Sequence, residues 1–332
     1  MIPTLPGSWY TDPAVLDAER HSLLSSSWRY VGAADAVAEP GSYLTTSVGG
    51  TPLVVARDRA DGGGLRAHVN VCRHRAAEVV RGAGTASSFT CGYHGWSYRL
   101  DGSLESAVGT DVPDGLHLPP ADVDTLGPLL FAAPTPQQER IADVLTPFTE
   151  LGASVSGIDL GALRLHRSIE HTIAANWKVV VENFVECYHC PLVHATTLPG
   201  YGRRDYAVTV HDRIQTQHLD ADRFSFAYLF PTTQISAYGN GRAVVAREVV
   251  PVDVGLTTTR LDYWFAPEVT ASQADEWIDF FESVIAEDVP LCESVQRGLE
   301  TRTFDHGYLH PEREKGLVRF HELVRASLEA AS

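Results

Sequence analysis

Two short segments of the chain each place a cysteine close to a histidine. Cys72 and His74 are separated by one residue, and Cys91 and His94 by two. Thiolate sulfur and imidazole nitrogen are donors that bind zinc, copper and iron well. Because each segment supplies one donor of each kind, the spacing predicts one metal centre built from both segments.

These four donors suit two different kinds of centre. They can close a tetrahedral zinc site. They can also divide between the irons of a Rieske-type 2Fe–2S cluster, with both cysteines on one iron and both histidines on the other. Zinc modules more often pair two cysteines as C-x2-C and place their histidines separately. The mixed C-x-H and C-x2-H halves therefore favour the two-iron cluster.

A second candidate metal site holds two further histidines. His189 and His194 are five residues apart, and on one unbroken helix their side chains would point about 140° apart. Pro191 removes this obstacle, because a proline breaks the helix between them. Cys187 and Cys190 leave other roles open for the same segment: a redox-active or zinc-binding C-x2-C pair, or a Cys190 that is buried beside the site without binding metal.

A ferrous oxygenase site needs a carboxylate beside two histidines, with positions left open for dioxygen and substrate. A helix predicted over residues 272–289 carries an apolar stripe of Trp277, Phe281 and Val284, and Asp288 falls on that stripe. A buried carboxylate needs a cation or hydrogen-bond donors. Iron would supply the cation, while capping of the following segment or pairing with an arginine are the alternatives. The other acids of this helix are expected to face solvent: Glu276, Asp279, Glu282 and Glu287.

The elements that must hold these residues fall into two groups. From 28 to 135, short segments rich in β-branched residues alternate with turn signals, among them the turns at 60–64 and at 101–102, and predict an all-β domain. Residues 1–27 together with 136–332 predict a second domain, in which an antiparallel sheet is covered by helices. The predicted fold class is therefore α+β.

Capping residues and prolines predict where several helices begin and end. Asp12 and Pro13 predict the start of a helix that ends near Ser26. Asn176 predicts the start of another, which Pro191 stops after residue 190. The remaining predicted features are a capping box variant at Ser272 and Asp275, a kink near Val289 before Pro290, a last helix over 314–330, and strands over 224–230, 243–250 and 257–265.

Composition and charge narrow the function classes. The chain has 42 acidic against 26 basic residues and a net charge of −16, which disfavours binding to nucleic acid or to an anionic membrane surface. No apolar run reaches the roughly 18 residues of a membrane-spanning helix, and the N-terminus lacks a signal-peptide pattern. Five cysteines among 332 residues favour free thiols and a cytoplasmic location.

With both motifs in view, the chain resembles the Rieske non-haem iron oxygenases, in particular the α subunits of ring-hydroxylating oxygenases. The similarity lies in residues 69–75 with 91–98, in 176–194 and in 287–293, and it covers nearly the whole chain. Ala76 departs from the glycine that many members have there, which puts only the local loop geometry in question. Residues 186–190, Glu-Cys-Tyr-His-Cys, are most similar to members that demethylate glycine betaine and stachydrine.

The resemblance implies two cofactors, a helix-grip type of catalytic domain and a set of ligands. A Rieske 2Fe–2S cluster would be held by Cys72, His74, Cys91 and His94. A mononuclear ferrous ion, Fe(II), would be held by His189, His194 and Asp288.

The resemblance also gives an acid near His189 a role in electron transfer between subunits. Glu186 would link His189 to His94 of a neighbouring chain. Glu182 lies one turn earlier and is the alternative, although an exposed helix position is its more ordinary role. The implied assembly is a homotrimer whose subunits meet head to tail.

The implied activity is that of a terminal oxygenase component, which hydroxylates a small substrate with O2. The sequence has no glycine-rich nucleotide fingerprint, so a separate NAD(P)H-dependent reductase, acting directly or through a ferredoxin, is expected to supply electrons. A Rieske electron carrier without oxygenase activity is the alternative from another class. A carrier needs only the first domain, and its two irons per chain would distinguish it from an oxygenase with three.

Aromatic side chains of the second domain bear on the substrate. Their faces attract a quaternary ammonium group, which favours oxidative N-demethylation of a small methylammonium compound. They can equally line a pocket for a small aromatic acid, and about half of them are expected in the core. The residues concerned are Tyr201, Tyr206, Phe224, Phe226, Tyr228, Phe230, Tyr238, Tyr263, Trp264 and Phe265.

Overall fold

The computed structural model describes residues 1–59, 63–109, 111, 114–155, 157–198, 206–219 and 224–330. The chain forms two compact units. One, here called the β unit, is Leu24–Asp143, and the other, the mixed unit, is Met1–Leu23 with Val144–Ser332. The bounds of the two units differ by a few residues from those of the predicted domains, which are 28–135 and 1–27 with 136–332.

The mixed unit begins with a short strand and a helix. Strand β1 (Ile2–Pro3) precedes a 3-10 turn (Gly7–Tyr10) and helix α1 (Pro13–His21). The Asp12 carboxylate accepts a hydrogen bond from the N–H of Ala14, which confirms the predicted N-cap. The helix ends at His21 rather than near Ser26. The hydroxyl of Ser22 donates to the carbonyl of Ala18 at 2.8 Å, a local bond that competes with continuation of the helix.

The β unit contains ten strands in the part that the structure describes. They are β2 (Arg29–Ala33), β3 (Ser42–Val48), β4 (Thr51–Arg57), β5 (Leu65–Val69), β6 (Ala83–Thr85), β7 (Ser88–Thr90), β8 (Ser97–Arg99), β9 (Leu104–Ser106), β10 (Pro120–Leu126) and β11 (Leu129–Ala133). Seven form an antiparallel sheet in the order β2-β11-β10-β5-β4-β3-β6, and β7-β8-β9 form a second, smaller sheet. A 3-10 turn spans Ala34–Val37.

Both predicted hairpins of the β unit have their strands in place. Strands β4 and β5 pair antiparallel, although residues 60–62 of their connection lie outside the described residues. Strands β8 and β9 pair across residues 101–102, where Gly102 has a φ of 87° that favours glycine. The apolar core beneath these strands contains Phe89, Tyr98 and both cysteines of the first metal motif.

An antiparallel sheet dominates the mixed unit, as predicted. Its strands are β12 (Arg164–Ile173), β13 (Tyr206–Val210), β14 (Ile214–Leu219), β15 (Phe224–Leu229), β16 (Thr233–Tyr238), β17 (Ala243–Asp253) and β18 (Leu256–Phe265). Their order is β12-β18-β17-β16-β15-β14-β13. Strand β19 (Tyr308–Leu309) pairs with β1.

Besides α1, the described helices of the mixed unit are α3 (Thr146–Val155), α4 (Trp177–Phe184), α5 (Cys190–Val193), α6 (Ala271–Glu300) and α7 (Lys315–Glu329), and a 3-10 turn spans Leu160–Ala162. Helix α2 (Ile141–Val144) lies where the two units meet in sequence. Side chains at alternate positions of β17 and β18, such as Val245 and Tyr263, pack against Ala274 and Ile278 of α6. This packing fixes α6 over the sheet.

Two helix predictions need correction. The capping box of α6 is Thr270 with Gln273, because Thr270 accepts from the N–H of Gln273 and the Gln273 side chain reaches back to the N–H of Thr270. Ser272 and Asp275 do not form it. The same helix continues through Pro290 to Glu300, so the range 272–289 is too short, and the kink near Val289 stays a prediction.

None of the helices in the described ranges combines the length and the apolar composition needed to cross a lipid bilayer.

Candidate metal centres and cavity

Two loops of the β unit carry the first metal motif and share one backbone pattern. The N–H of Cys72 donates to the carbonyl of Ala77, and the N–H of Cys91 donates to that of Trp96, both at 2.8 Å. In return each cysteine carbonyl accepts, at 3.0 Å, from the N–H four residues later, which belongs to Ala76 or Gly95. Ala76 and Gly95 have φ values of 58° and 72°, the left-handed region. Ala76 therefore adopts a conformation that ordinarily favours glycine.

Burial separates the four donors of this motif into two pairs. Cys72 and Cys91 are only 3% and 2% exposed, whereas His74 and His94 are exposed. The two imidazole rings lie with centroids 4.5 Å apart, and Trp96 stacks on His74 at 4.9 Å. Buried sulfur donors and surface imidazoles match the donor set of a Rieske cluster, in which cysteines bind one iron and histidines the other.

Tyr98 is a member of this site that sequence reasoning missed. Its hydroxyl lies 3.3 Å from Sγ of Cys72 and accepts from the N–H of Arg73 at 2.9 Å. Burial and the contact with Cys72 raise the pKa of Tyr98. The phenol therefore keeps its proton and can donate it to a thiolate sulfur.

In the mixed unit, the structure brings His189, His194 and Asp288 together. Oδ1 of Asp288 lies 3.2 Å from Nε2 of His194 and 3.6 Å from Nε2 of His189. The two rings are 5.3 Å apart at an interplanar angle of 72°. Asn183, which was not predicted, donates from Nδ2 to Oδ1 of Asp288 at 3.2 Å. Two imidazoles and a carboxylate that converge in this way can hold one ferrous ion and leave other coordination positions open.

Two outer carboxylates orient the imidazoles. Nδ1 of His189 lies 2.5 Å from Oε1 of Glu186, and Nδ1 of His194 lies 2.6 Å from Oε2 of Glu287. The hydroxyl of Thr197 donates to the same oxygen of Glu287 at 2.7 Å. A proton on each Nδ1 would point towards a carboxylate and would leave the Nε2 lone pair available to a metal ion.

The electrostatics of this group favour positive charge. Burial alone would lower the pKa of His194, but hydrogen bonds to Asp288 and Glu287 outweigh burial and raise it. A cation at this position, whether a proton or a metal ion, is thus stabilised by the surrounding carboxylates.

A break between two helices presents the histidines, but it begins earlier than predicted. Helix α4 ends at Phe184, not at residue 190, and Pro191 lies in the first turn of α5 rather than stopping the previous helix. His189 is the N-cap residue of α5, and His194 follows its last residue. The two histidines therefore lie at opposite ends of one short turn.

The cysteines of the C-x2-C pair are joined in a disulfide between Cys187 and Cys190. The expectation that all five thiols are free is therefore wrong for these two. Cys72, Cys91 and Cys292 are free. Burial, and then the charge of Asp288, raise the pKa of Cys292 to about 12, so it remains a neutral thiol.

Three acids have roles that the sequence analysis did not predict. Glu287 and Glu282 were expected to face solvent, but Glu287 holds His194, and Glu282 accepts from the hydroxyl of Tyr263 at 2.5 Å. Glu182 is not an exposed helix residue either, because it accepts from the Tyr10 hydroxyl at 2.5 Å and lies 2.9 Å from Nε2 of His321. A helical wheel places such side chains relative to one helix axis only, and their partners lie on other elements.

A cavity of about 540 Å³ adjoins His189, His194 and Asp288. Its walls come from the sheet, from α6 and from the segment between α4 and α5. Besides these three residues and Glu186, its described lining includes Asn183, Phe184, Tyr206, Gln217, Phe224, Phe226, Gln234, Tyr238, Val245, Arg247, Leu261, Glu276, Trp277, Phe280, Phe281, Val284 and Ile285.

Of the aromatic residues considered for the substrate pocket, four line this cavity: Tyr206, Phe224, Phe226 and Tyr238. Five others are buried: Tyr228, Phe230, Tyr263, Trp264 and Phe265. Tyr201 lies outside the described residues. Trp277 and Phe281, identified in the sequence only as an apolar stripe, also line the cavity.

Two known protein families match the two parts of the chain that carry the candidate metal centres. Residues 27–114 match the Rieske [2Fe-2S] domain, and residues 160–220 and 202–330 match the ring-hydroxylating alpha subunit catalytic domain. The chain belongs to the Rieske-type ring-hydroxylating oxygenase family. It is therefore an oxidoreductase of the oxygenase class, and its cofactors are a Rieske 2Fe–2S cluster and a mononuclear iron.

Several relatives of this oxygenase match over almost the whole of this chain. Chloroplastic choline monooxygenase of Arabidopsis thaliana is 31% identical, over 98% of this chain and 83% of the relative. The carnitine monooxygenase oxygenase subunit of Acinetobacter baumannii is 28% identical, over 97% and 92%. A solved structure of a quaternary ammonium Rieske monooxygenase has a TM-score of 0.81 and 27% identity, over 98% and 95%. The predicted α+β fold class and the resemblance to Rieske oxygenases are confirmed.

Proposed function

We propose that this oxygenase oxidises a small quaternary ammonium compound. One oxygen atom of O2 enters a C–H bond of an N-methyl group, the other leaves as water, and NAD(P)H supplies two electrons through a separate reductase. The hydroxymethyl group then leaves as formaldehyde and the amine is released. The observation that carries the proposal is the aromatic lining of the cavity beside His189, His194 and Asp288.

The aromatic rings contact one another and form a continuous aromatic wall of the cavity, against which a methylammonium group can lie. Tyr238 lies 4.5 Å from Phe281 and 5.0 Å from Phe224, centroid to centroid, and Trp277 lies 6.0 Å from Phe281. Each ring face that contacts the cation contributes about 0.5–2 kcal/mol, more as water is excluded. The choline and carnitine monooxygenases among the relatives act on quaternary ammonium compounds, which supports the same class here.

The ligand assignment is part of this proposal. Cys72, Cys91, His74 and His94 would hold the Rieske cluster, which stores one electron at a time. His189, His194 and Asp288 would hold the iron that activates O2. Their donor types and the inward direction of the two Nε2 atoms fit such an ion.

The chain's own residues would hold the imidazoles and exclude water. Glu186 and Glu287 keep a proton on Nδ1 of His189 and His194, so that Nε2 remains a donor to the metal. Phe224 and Phe281 keep the cavity apolar next to the site. An apolar wall strengthens the electrostatic interactions inside and restricts side reactions with water.

The partners, the assembly and the location also belong to the proposal. We propose a homotrimer in which Glu186 of one subunit receives electrons by way of His94 of the next, and a cytoplasmic location. The solved structure compared above was described with inter-subunit electron transfer in that protein. A reductase, directly or through a ferredoxin, would reduce the cluster.

A product assay tests the proposed activity. The purified oxygenase is supplied with NADH, a surrogate reductase and either methylated ammonium compounds or small aromatic acids. Formaldehyde in equimolar amount to a demethylated amine is expected, with one O2 and one NADH consumed for each formaldehyde formed. Hydroxylated or dihydroxylated aromatic acids, with no ammonium compound consumed, would instead establish the alternative substrate class.

A further inference from the structure

The described cavity lining contains one arginine side chain among aromatic, aliphatic, amide and acidic residues. Arg247 lies on β17 two residues after Val245, on the face of the strand that points towards α6. Among the described lining residues it is the only arginine or lysine. Its guanidinium group lies over the ring of Phe184, 5.2 Å from the centroid.

Within the described ranges, this guanidinium has a ring contact but no hydrogen-bond acceptor or ion-pair partner. Its Nε is buried without a hydrogen-bond acceptor. The positive charge of Arg247 helps to lower the pKa of the Glu282 carboxylate. That carboxylate is occupied by the hydroxyl of Tyr263 at 2.5 Å and by Nε2 of His171 at 3.0 Å. A partly buried cation without an anion costs free energy, which an anionic ligand would recover.

The cross-strand neighbour of Arg247 supplies a second donor group. Gln234 of β16 pairs directly with Arg247 and also lines the cavity. Its Nε2 is 2.9 Å from the hydroxyl of Ser236, and its Oε1 is buried without a partner. If the amide turns by 180°, the Ser236 hydroxyl donates to Oε1 and the N–H groups of Gln234 become donors to a ligand. The guanidinium of Arg247 and the amide of Gln234 lie on paired strands, and together they can donate hydrogen bonds to one carboxylate.

We propose that Arg247, together with Gln234, binds a carboxylate of the substrate, so that the enzyme acts on quaternary ammonium carboxylates in preference to cations of the choline type. The inference rests on the proposed function and specifies the substrate class within it. A zwitterion places its ammonium group among the aromatic rings and its carboxylate on Arg247. Choline brings only a positive charge, which the unpaired guanidinium repels.

The test uses pairs of probes in which a free carboxylate is replaced by its uncharged methyl ester. Glycine betaine is compared with its methyl ester, and 4-(trimethylammonio)butanoate with its methyl ester, with choline as a third type of probe. Binding to the intact oxygenase is measured by calorimetry without O2, and kcat/KM is measured with a surrogate reductase. Each free acid is expected to exceed its ester by about 10- to 100-fold, the range of one or two hydrogen bonds to a charged group.

Variants assign this preference to the arginine. Arg247→Met should lose most of the preference for the acid, Arg247→Lys should regain part of it, and Gln234→Leu should reduce it by a smaller factor. Arg242→Met is the matched control, because Arg242 is exposed just before the same strand, and it should keep the full preference. Cluster absorbance and iron content establish that each variant is assembled.

Three results would overturn the inference. Acid and ester bound and oxidised equally by the unaltered enzyme would do so without any variant. A preference for the acid that persists in both Arg247 variants would assign it to other residues. Oxidation of small aromatic acids alone would overturn the proposed function as well, and this outcome is distinguishable because no ammonium probe would then be consumed.

Discussion

At the scale of single residues, the candidate metal ligands are where the sequence carries the clearest signal. Donor type and spacing lie in the sequence itself, as at Cys72 and Cys91. The partners that tune the ligands do not, because Tyr98 and Glu287 acquire their roles only when separate segments meet. Arg247 carried no signal in the sequence for the same reason: its lack of a partner is a property of the folded chain.

Tyr98 offers a test of how the protein sets the potential of the cluster. A hydrogen bond to a cluster thiolate stabilises the reduced state more than the oxidised state, because the reduced state carries more negative charge. Tyr98→Phe should therefore lower the reduction potential by about 40 mV, the one-electron equivalent of about 1 kcal/mol. Tyr43→Phe is the control, because Tyr43 packs in the same core without contacting sulfur. Protein-film voltammetry measures both, and an unchanged potential in Tyr98→Phe would exclude this role.

Glu287 offers a matching test at the mononuclear site. Loss of a carboxylate behind a metal-binding histidine weakens metal affinity by about 10- to 100-fold. Glu287→Ala should therefore lose iron at chelator concentrations that leave the unaltered protein loaded, while the Rieske absorbance stays constant. Asp279→Ala, an exposed acid on the same helix, should behave like the parent. Equal iron retention in both variants would remove Glu287 from the site.

At the scale of elements, the sequence predicts strands and helix starts more reliably than helix ends. Strands β17 and β18 and the N-cap at Asp12 are where the pattern placed them. The end of α4 was misplaced because the apolar pattern continues past Phe184, whereas the backbone breaks there to present His189. Local propensity alone therefore does not determine that boundary.

The two cysteine loops allow a comparison of identical turns with different residues. Ala76→Gly should raise the free energy of unfolding by about 0.5–1 kcal/mol, because it relieves a left-handed conformation at an exposed residue. Gly95→Ala should lower it by more than this amount, because the added Cβ would also lie 2.9 Å from Cγ2 of Val108. Urea unfolding of the cluster-loaded protein measures both. Destabilisation by Ala76→Gly would show that the loop does not store this strain.

A buried ion pair joins the first helix to α4. Nζ of Lys178 lies 2.6 Å from Oε1 of Glu19, both side chains are fully buried, and Nε1 of Trp177 donates to Oε2 of Glu19. Lys178→Met should cost about 3–5 kcal/mol, because it leaves the Glu19 carboxylate buried without a cation. The double variant with Glu19→Gln should regain most of this loss. Thermal unfolding measures the cycle, and additive losses would contradict direct coupling.

At the scale of the whole molecule, the sequence predicts two groups of elements but not how electrons pass between their metal centres. Each centre is assembled within one compact unit: the cysteine loops within the β unit, and the two histidines with Asp288 within the mixed unit. Glu186 already contacts His189 and the N–H of Tyr188 within its own chain. A carboxylate has capacity for further hydrogen bonds, so Glu186 can also accept one from a neighbouring subunit.

Subunit mixing tests the proposed transfer between chains. Cys91→Ser removes a proposed cluster ligand and His189→Ala removes a proposed iron ligand, so each variant alone should be inactive. Co-expressed with different affinity tags and purified through both, they should regain part of the activity, because some interfaces pair an intact cluster with an intact iron site. Adding Glu186→Ala to the Cys91→Ser chain, which carries the intact iron site, should abolish this recovery. Placing it on the His189→Ala chain should not, because the iron site of that chain is already lost. Mixed oligomers that contain both chains and remain inactive would mean that electrons pass within one chain, and Glu186 would then have no role at a subunit interface.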